Sequence, residues 1–342
     1  METTSTVKEN TKPARRASIS RGARGPIPGA GFPVRPKRLF SMSGSRMAGS
    51  RRFGDLSPAL LFILPSFAGF FIFVLFPVLA SFGLSFTKWN LLSGLGGIEF
   101  VGVRNFVRLF RDNTFLTSLR NNLVFTATTV PITMAIGLVI GVAINEWAYF
   151  KNSLKVAIFV PYISSIVAVS VVWMVILHPT IGPVNQLLMS MGVENPPRWF
   201  VSIDWALPSI IVMTIWQNLG YNVLIYIAAL SAINPSLYEA GRIDGANPIQ
   251  EFFRITIPMV SPTSFFLLIT NVIGSFRVFD QISVITDGGP GDATNVLAYY
   301  MYQMAFEQYR MGYASSVAWV LFVVIFAITM FQKRMQKTVV YE

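Results

Sequence analysis

Six long stretches without a charged residue constrain what this 342-residue chain can fold into. A helix needs roughly 20 residues to cross about 30 Å of hydrocarbon, and each stretch is longer than that. The stretches cover residues 56–87, 121–145, 156–193, 205–238, 255–276 and 311–332. We therefore predict an all-α integral membrane protein with six transmembrane helices. Because six is an even number, both termini lie on the same side of the membrane.

Positive charge is concentrated at the N-terminus. Residues 1–52 hold twelve of the 27 Lys and Arg against two Glu, so they carry all but one unit of the +11 net charge. Because this segment is rich in Arg, Pro, Gly and Ser, we predict a disordered basic cytoplasmic tail. We favour a solvated tail that helps to fix the topology. The alternative is a contact site for anionic lipid or nucleic acid.

Residue types exclude several kinds of chemistry. The chain has no Cys, and no Cys or carboxylate lies near its single histidine, His178, so neither thiol chemistry nor a metal site is predicted. No G-x-x-x-x-G-K-[ST] motif occurs, so the chain does not cradle ATP phosphates as a P-loop does. We expect no enzymatic activity and no cofactor in this chain.

Flanking charges predict the orientation through the positive-inside rule. Three Arg within residues 46–52 precede the first stretch, and three Lys or Arg within residues 333–337 follow the last. Both termini are therefore predicted to be cytoplasmic, and alternation places loops 146–155 and 234–258 on the same side. The outer loop 88–120 is an exception to the rule, because it holds five Lys and Arg against two acidic residues.

The charged loop between the fourth and fifth stretches reads NPSLYEAGRIDGANPIQEFFRITIPMVSP and predicts two short helices. The first begins at a cap provided by Asn234 with Pro235, or by Ser236 with Glu239 as a capping box. Gly245 occupies the position of a left-handed C-terminal cap. A second start signal, Asn-Pro-x-Gln at residues 247–250, opens a helix that is predicted to end at Pro258.

This segment resembles the EAA loop of binding-protein-dependent ABC importer permeases. The matching residues are Glu239, Ala240, Asp244, Gly245, Ala246, Phe252, Ile255, Pro258 and Pro262. Gly241 replaces the second Ala of the pattern, and Ile257 replaces Leu. The resemblance implies the type I ABC importer permease fold for residues 53–342, with a coupling loop at 234–258. The coupling residues it implies are Glu239, Ala240, Gly241, Asp244, Gly245 and Ala246.

Two further stretches are similar to the sugar-importing members of that family. The first carries Asn105, Phe106, Asp112, Phe115 and Asn122. The second carries Phe276, Phe279, Asp280, Thr286, Gly288, Gly289, Pro290 and Thr294. This resemblance implies a first-subunit permease of the maltose, glycerol-phosphate and trehalose type in a bacterial or archaeal cell membrane. The implied partners are a second homologous permease, an ATPase dimer that binds ATP and Mg²⁺, an extracytoplasmic solute-binding protein and a sugar.

Polar residues in the middle of two predicted spans are candidates for the substrate path, because at that depth they need a partner, a cavity or a ligand. They are Asn218, Tyr221, Asn222, Asn271 and Ser275. Tyr221 is predicted to be the surface on which a sugar ring stacks. Hydrogen bonds between helices are the alternative explanation for the whole set.

Four details of the predicted spans can be compared with the structure. The third span is predicted as one helix over residues 154–177. An interfacial helix is predicted over 103–111, and the apolar segment 296–306, which is too short to span, is predicted to lie at the outer interface. Arg277 and Asp280 are predicted to pair near the outer end of span five, since they lie three residues apart.

Other functions remain open from the sequence. The importer could carry a non-sugar solute such as a glycerol phosphodiester or a polyamine. An ion-coupled secondary transporter is a less favoured alternative, because only Arg277 and Asp280 approach the midplane. The least favoured is a membrane-anchored nucleic-acid-binding protein that uses the basic tail.

Overall fold

The computed structural model describes the backbone of residues 56–339 and the side chains of 62–146 and 148–336. The predicted basic tail, residues 1–52, lies outside the described residues. Among the described residues, five helices are long and apolar enough to cross a membrane, and a sixth crossing results if one bent helix pair counts as a span. The prediction of an all-α membrane protein is therefore confirmed.

The first span is a helix that contains a π-helical turn. Helices α1 (Leu56–Phe70) and α2 (Phe76–Ser85) are joined by the π turn Phe71–Leu75. Pro77, which has no N–H to donate, directly follows this turn near the start of α2. The chain then forms the strand pair β1 (Thr87–Lys88) and β2 (Glu99–Phe100).

Helix α3 (Arg104–Leu109) confirms the predicted helix over residues 103–111. Helix α4 (Asn113–Trp147) begins well before the predicted span, because Asp112 caps it. The Asp112 carboxylate accepts hydrogen bonds from the amides of Thr114 at 3.1 Å and Phe115 at 3.3 Å. Helix α4 packs along most of α8 (Ile203–Ser231), and this pair forms the centre of the bundle.

The third predicted span is broken, which corrects the prediction of one helix. Helices α5 (Lys151–Ile163) and α6 (Ile166–Ile176) meet at 95°. Ser164 is extended between them, with φ −72° and ψ 148°, and its hydroxyl donates to the carbonyl of Val160 at 2.7 Å. Pro161, which has no amide donor, lies in the last turn of α5 and further weakens the helix there. Helix α7 (Pro183–Ser190) follows in the loop before the next span.

The loop after α8 contains α9 (Pro235–Ile243) and α10 (Pro248–Glu251), as the capping signals predict. The second helix does not end at Pro258, however, but continues through a π turn (Phe252–Thr256) into α11 (Ile257–Met259). In this wider turn the amide of Ile257 bonds to the carbonyl of Phe252, and Pro258, which has no amide donor, follows directly. Helix α12 (Ser261–Phe276) is the fifth span, and α13 (Asp280–Ile285) continues it.

The segment predicted to lie at the outer interface is instead a buried helix. Helix α14 (Leu297–Tyr302) packs against α4 and α15 (Met311–Val339), and Leu297 and Tyr300 are almost inaccessible to solvent. Asn122 on α4 holds it, because the Asn122 side chain accepts from the Leu297 amide at 3.3 Å and donates to the Ser275 carbonyl at 3.3 Å. A buried polar side chain with both groups satisfied fixes the helix within the bundle.

Candidate functional site

A cavity of about 570 Å³ opens between α4, α8, α12 and the break of the third span. Four of the five predicted path residues line it, namely Asn218, Tyr221, Asn271 and Ser275. They come from two helices that are far apart in sequence. The fold therefore brings most of the predicted path together at one place.

Asn222 does not line this cavity, unlike the other four predicted path residues. Its side chain is fully buried, and its amide oxygen accepts a hydrogen bond from Asn271 at 2.8 Å. Its own Nδ2 donates to the carbonyl of Asn218 at 3.0 Å. Asn222 lies one turn beyond Asn218 on the same face of α8, but its side chain is engaged in these two hydrogen bonds. It joins α8 to α12 and positions Asn271.

Tyr221 presents an aromatic surface in the cavity, but one of its faces is already covered. Its ring stacks on Tyr162 with the ring centres 5.1 Å apart and the planes 20° from parallel. Tyr162 lies in the last turn of α5, next to the break at Ser164, and both residues line the cavity. The bend of the third span therefore places a second aromatic ring, that of Tyr162, in the cavity wall. Tyr162 was not among the residues predicted for the substrate path.

Ser275 lines the cavity, yet its hydroxyl is engaged in the fold. It donates to Thr126 Oγ1 on α4 at 2.9 Å and to the Val272 carbonyl at 2.8 Å. Because the Ser275 hydroxyl donates to these two protein acceptors, Ser275 joins α4 to α12 at the edge of the cavity. Of the five predicted path residues, Asn218, Tyr221 and Asn271 remain those with a polar or aromatic group at the wall.

The cavity also contains side chains that were not predicted to face a ligand. Thr129 and Thr133 on α4 and Gln217 on α8 line it, as do Arg277 and Asp280. The only sequence signal for the two threonines is their spacing of four, which places them on one helix face. Without the structure, two isolated threonines in an apolar run indicate helix packing equally well.

Arg277 and Asp280 do not pair, which corrects the sequence prediction. Helix α12 ends at Phe276, and Asp280 begins α13, so the two residues are not on one helix. Within the described residues, no salt bridge joins them. Both charged groups are exposed at the rim of the cavity.

The coupling loop is built around a sharp turn at Gly245. Its φ of +82° is the left-handed conformation that favours glycine. The amide of Ala246 bonds to the Gly241 carbonyl at 2.9 Å, and the Gly245 amide bonds to the Arg242 carbonyl at 3.1 Å. Together these two bonds form a Schellman motif with Asp244 as the C-cap residue. The predicted turn is confirmed.

Polar contacts fasten the two helices of the coupling loop to each other. Arg242 Nε lies 2.9 Å from Glu251 Oε1, and Tyr238 OH lies 3.0 Å from Thr256 Oγ1. The hydrogen bond to Glu251, followed by its charge, raises the pKa of the Arg242 guanidinium.

The outward side of the coupling loop carries exposed acidic and apolar groups. Glu239, Ala240 and Asp244 are exposed, while Gly241 lies close to Ile255. The exposed apolar side chains are Leu237, Ile243, Ile249 and Phe253. A mixed surface of this kind on a short, rigid helix pair is typical of a protein interaction site.

At the end opposite to the coupling loop, Asp112 joins three helices. Its Oδ2 accepts from the hydroxyls of Tyr300 and Tyr313, each at 2.7 Å, in addition to its capping bonds at the start of α4. Burial tends to raise the pKa of Asp112, but the hydrogen bonds from the two tyrosines and two amides outweigh it and lower that pKa. Burial, followed by the hydrogen bond to Asp112, raises the pKa of Tyr300. The carboxylate therefore holds α14 and α15 in place.

Membrane-spanning helices around a polar cavity, with a rigid exposed helix pair between two spans, define a multi-pass membrane transport protein. The profile of the family described as binding-protein-dependent transport system inner membrane component matches residues 42–340. The chain belongs to this family, whose members are permease subunits of ABC importers. The resemblance of the coupling loop is confirmed, and the protein is a multi-pass inner-membrane protein.

Two curated relatives illustrate the similarity. The chain is 33% identical to the probable ABC transporter permease protein YurN of Bacillus subtilis over 281 residues, which cover 81% of this chain and 95% of YurN. It is 32% identical to the lactose transport system permease protein LacF of Rhizobium radiobacter over 297 residues, which cover 85% of this chain and 97% of LacF. The match therefore extends over nearly the full length of both relatives.

A solved structure has the same fold. It is the crystal structure of a bacterial ABC transporter involved in the import of the acidic polysaccharide alginate, and the matching chain is 25% identical. The TM-score is 0.74, and the alignment covers 84% of this chain and 99% of the other. The type I ABC importer permease architecture predicted from the EAA loop agrees with this match.

Proposed function

We propose that this chain is one of two permease subunits through which an ABC importer moves a saccharide into the cytoplasm. A soluble binding protein delivers the saccharide to the outer face. A separate ATPase dimer binds ATP and Mg²⁺ and supplies the energy. In this arrangement both termini and the coupling loop are cytoplasmic, and the residues around Asp112 face the binding protein.

The lining of the cavity is the observation that carries this proposal. Sugars present hydroxyl groups at their edges and apolar surfaces on their rings, so a site for them combines amides and hydroxyls with an aromatic surface. Asn218, Asn271 and Tyr221 provide these groups at one wall. The free volume of about 570 Å³ is large enough for a small saccharide. LacF, whose name refers to lactose transport, supports the same substrate class.

The coupling loop connects this cavity to the ATPase in our proposal. The exposed face around Glu239, Ala240 and Asp244 docks on the ATPase, and Gly245 fixes the angle between α9 and α10. Glu251 is largely buried and bonded to Arg242, so a displacement of α9 is passed to α10 as a rigid-body movement. Helices α8 and α12 flank the loop and line the cavity, so the movement reaches the saccharide.

A phosphorylated solute such as a glycerol phosphodiester is the second candidate, because Arg277 lies at the rim of the cavity. One relative, the sn-glycerol-3-phosphate transport system permease protein UgpA of Yersinia pestis, is 30% identical over 276 residues. A polyamine is less favoured, because Asp280 is the one carboxylate among the lining side chains that the structure describes. An ion-coupled mechanism has no comparable support in a chain of this family.

The test is calorimetry of the binding protein that partners this chain, against glucose, lactose, maltotriose, glycerophosphodiesters and spermidine. The ligand that binds is then added with the binding protein to the reconstituted complex, and ATP hydrolysis is measured. We expect a saccharide to bind and to stimulate hydrolysis. Stimulation by a phosphodiester alone would support the second candidate. Stimulation by spermidine alone would overturn both.

A further inference from the structure

The serine and threonine hydroxyl groups that line the cavity fall into two classes. Those of the first class donate to backbone carbonyls of their own helices, as Thr214 does to Ile210 at 2.7 Å. Ser164, Thr270 and Ser275 make the same kind of bond, at 2.7, 3.0 and 2.8 Å. The second class consists of Thr129 and Thr133 on α4, whose hydroxyls have no hydrogen-bond partner in the described part of the chain.

Gln217 shares this property with the two threonines. Its Oε1 is buried without a partner among the described residues, and Gln217 also lines the cavity. The exposed fractions of Thr129, Thr133 and Gln217 are 5%, 2% and 4%. A buried polar atom without a partner destabilises a fold, and three of them at one cavity indicate a functional reason.

The hydrogen-bonding capacity of these three groups indicates the kind of ligand that they can bind. A threonine hydroxyl both donates and accepts, and an amide oxygen accepts, so a ligand hydroxyl is a suitable partner for all three. Thr129 and Thr133 are four residues apart on one face of α4, which separates their Cβ atoms by about 5–6 Å. One sugar ring with two hydroxyls spans that distance. None of the three groups is charged, so they offer nothing specific to an ion.

We infer that Thr129, Thr133 and Gln217 form a second ligand wall, on which the hydroxyl edge of the transported saccharide is bound. This inference rests on the proposed function and adds α4 to a path predicted on α8 and α12 alone. Thr126, one turn before Thr129, is bonded to Ser275 and holds α4 against α12. The second ligand wall therefore lies one turn further along α4 from this contact.

Replacement of threonine by valine tests the second ligand wall, because valine removes the hydroxyl and keeps the shape. The complex is reconstituted with its binding protein in proteoliposomes, and radiolabelled glucose, lactose and maltotriose are offered separately. We expect Thr129→Val and Thr133→Val each to lower uptake about threefold to tenfold, the effect of losing one hydrogen bond. The number of ATP molecules hydrolysed per imported saccharide should rise, because a saccharide that is bound less tightly dissociates from the cavity before import is completed.

Thermal unfolding separates a binding role from a structural one. Removing an unpartnered buried hydroxyl does not destabilise a protein, so the unfolding temperatures of both variants should equal or exceed that of the wild type. Thr329→Val on α15 is the matched control, because the Thr329 hydroxyl is also buried without a partner in the described residues but lies away from the cavity. It should leave uptake unchanged.

Two results would overturn the second ligand wall while leaving the proposed function intact. One is unchanged uptake in both threonine variants, and the other is a lowered unfolding temperature, which would reveal a structural partner. If the wild-type complex transports none of the three saccharides, the proposed function itself fails, and the inference fails with it.

Discussion

Arg242 on α9 and Glu251 on α10 are joined by two contacts across the turn at Gly245. Arg242 Nε lies 2.9 Å from Glu251 Oε1, and an Arg242 terminal nitrogen (Nη2) lies 3.4 Å from Oε2. A bidentate contact of this kind fixes the relative orientation of the two side chains as well as their distance. Because Glu251 is 7% exposed and Arg242 is open to solvent, the pair connects the outer surface of the coupling loop to its interior.

Neutralising Glu251 should therefore weaken coupling. We expect Glu251→Gln to lower substrate-stimulated ATP hydrolysis about twofold to tenfold, which corresponds to the loss of one or two hydrogen bonds. The measurement is ATP hydrolysis by the reconstituted complex with saturated binding protein. Glu194→Gln, at an exposed residue in the loop between α7 and α8, is the control and should behave as the wild type. Full stimulation in Glu251→Gln would show that the pair does not transmit movement.

The turn at Gly245 gives a second prediction. Proline fixes φ near −65°, so Gly245→Pro cannot adopt the observed φ of +82°, and it also loses the amide that bonds to Arg242. We expect this variant to insert into the membrane but to show no substrate-stimulated ATP hydrolysis. Gly245→Asn is the matched control, because asparagine tolerates the left-handed conformation, and it should retain most of the stimulation. Equal activity of the two variants would rule out a conformational role for Gly245.

Charge reversal on the outward side of α9 tests docking itself. Glu239 is exposed and is not bonded within the described residues, so Glu239→Lys changes the surface and leaves the helix intact. We expect normal membrane insertion and loss of substrate-stimulated ATP hydrolysis. Normal stimulation in a reconstituted Glu239→Lys complex would contradict the assignment of α9 as the docking helix.

Asn222 and Tyr221 should differ in the kind of damage that their loss causes. Asn222→Ala leaves the partly buried Asn271 donor without its acceptor, which costs about 0.5–1.5 kcal/mol and lowers the unfolding temperature of the purified complex. Tyr221→Ala should instead slow saccharide uptake, because it removes a ring from the cavity. Tyr221→Phe, which keeps the ring, is the control and should transport normally. Slow uptake by an Asn222→Ala complex of undiminished stability would contradict this division.

Asp112 predicts a pH dependence of stability. Its pKa in the folded protein lies below the ordinary value of 3.8, so its stabilising effect is complete well above that pH and is lost as the pH falls through the folded-state pKa. Asp112→Asn should therefore cost about 1–3 kcal/mol at neutral pH, the worth of hydrogen bonds to a charged group. The difference in unfolding temperature between wild type and variant should shrink from about pH 7 to about pH 3.

Asp204→Asn is the matched control for Asp112. Asp204 also lies at the start of a helix on the same side of the bundle, but it is exposed. Its replacement should change stability by less than about 0.5 kcal/mol, as is usual for a surface site. A pH-independent difference for Asp112→Asn would show that the carboxylate charge does not hold α14 and α15.

Local signals explain what the sequence predicted correctly. The caps at Asn234 and Asn247 and the turn at Gly245 involve neighbouring residues only, so their patterns suffice to place them. The spans follow from length and hydropathy. Four of the five path residues line the cavity because helical spacing fixes the face on which Asn218 and Tyr221 lie.

Long-range contacts explain what the sequence could not predict. The burial of α14 depends on Asn122, and the engagement of the Asn222 side chain depends on Asn271 on another helix. The break at Ser164 lies within an apolar run that hydropathy describes as continuous. Thr129 and Thr133 become candidates only when the packing shows that their hydroxyls lack partners in the described residues.

The most direct test of the whole account is saccharide uptake by proteoliposomes that contain this chain, its partner permease and the ATPase. Loaded binding protein is added outside, ATP is enclosed, and radiolabelled saccharide inside the vesicles is counted. We expect accumulation that requires enclosed ATP and is abolished by Gly245→Pro in this chain. Accumulation that proceeds without ATP, or that survives Gly245→Pro unchanged, would contradict the claim that the coupling loop transmits ATP-driven movement to the cavity.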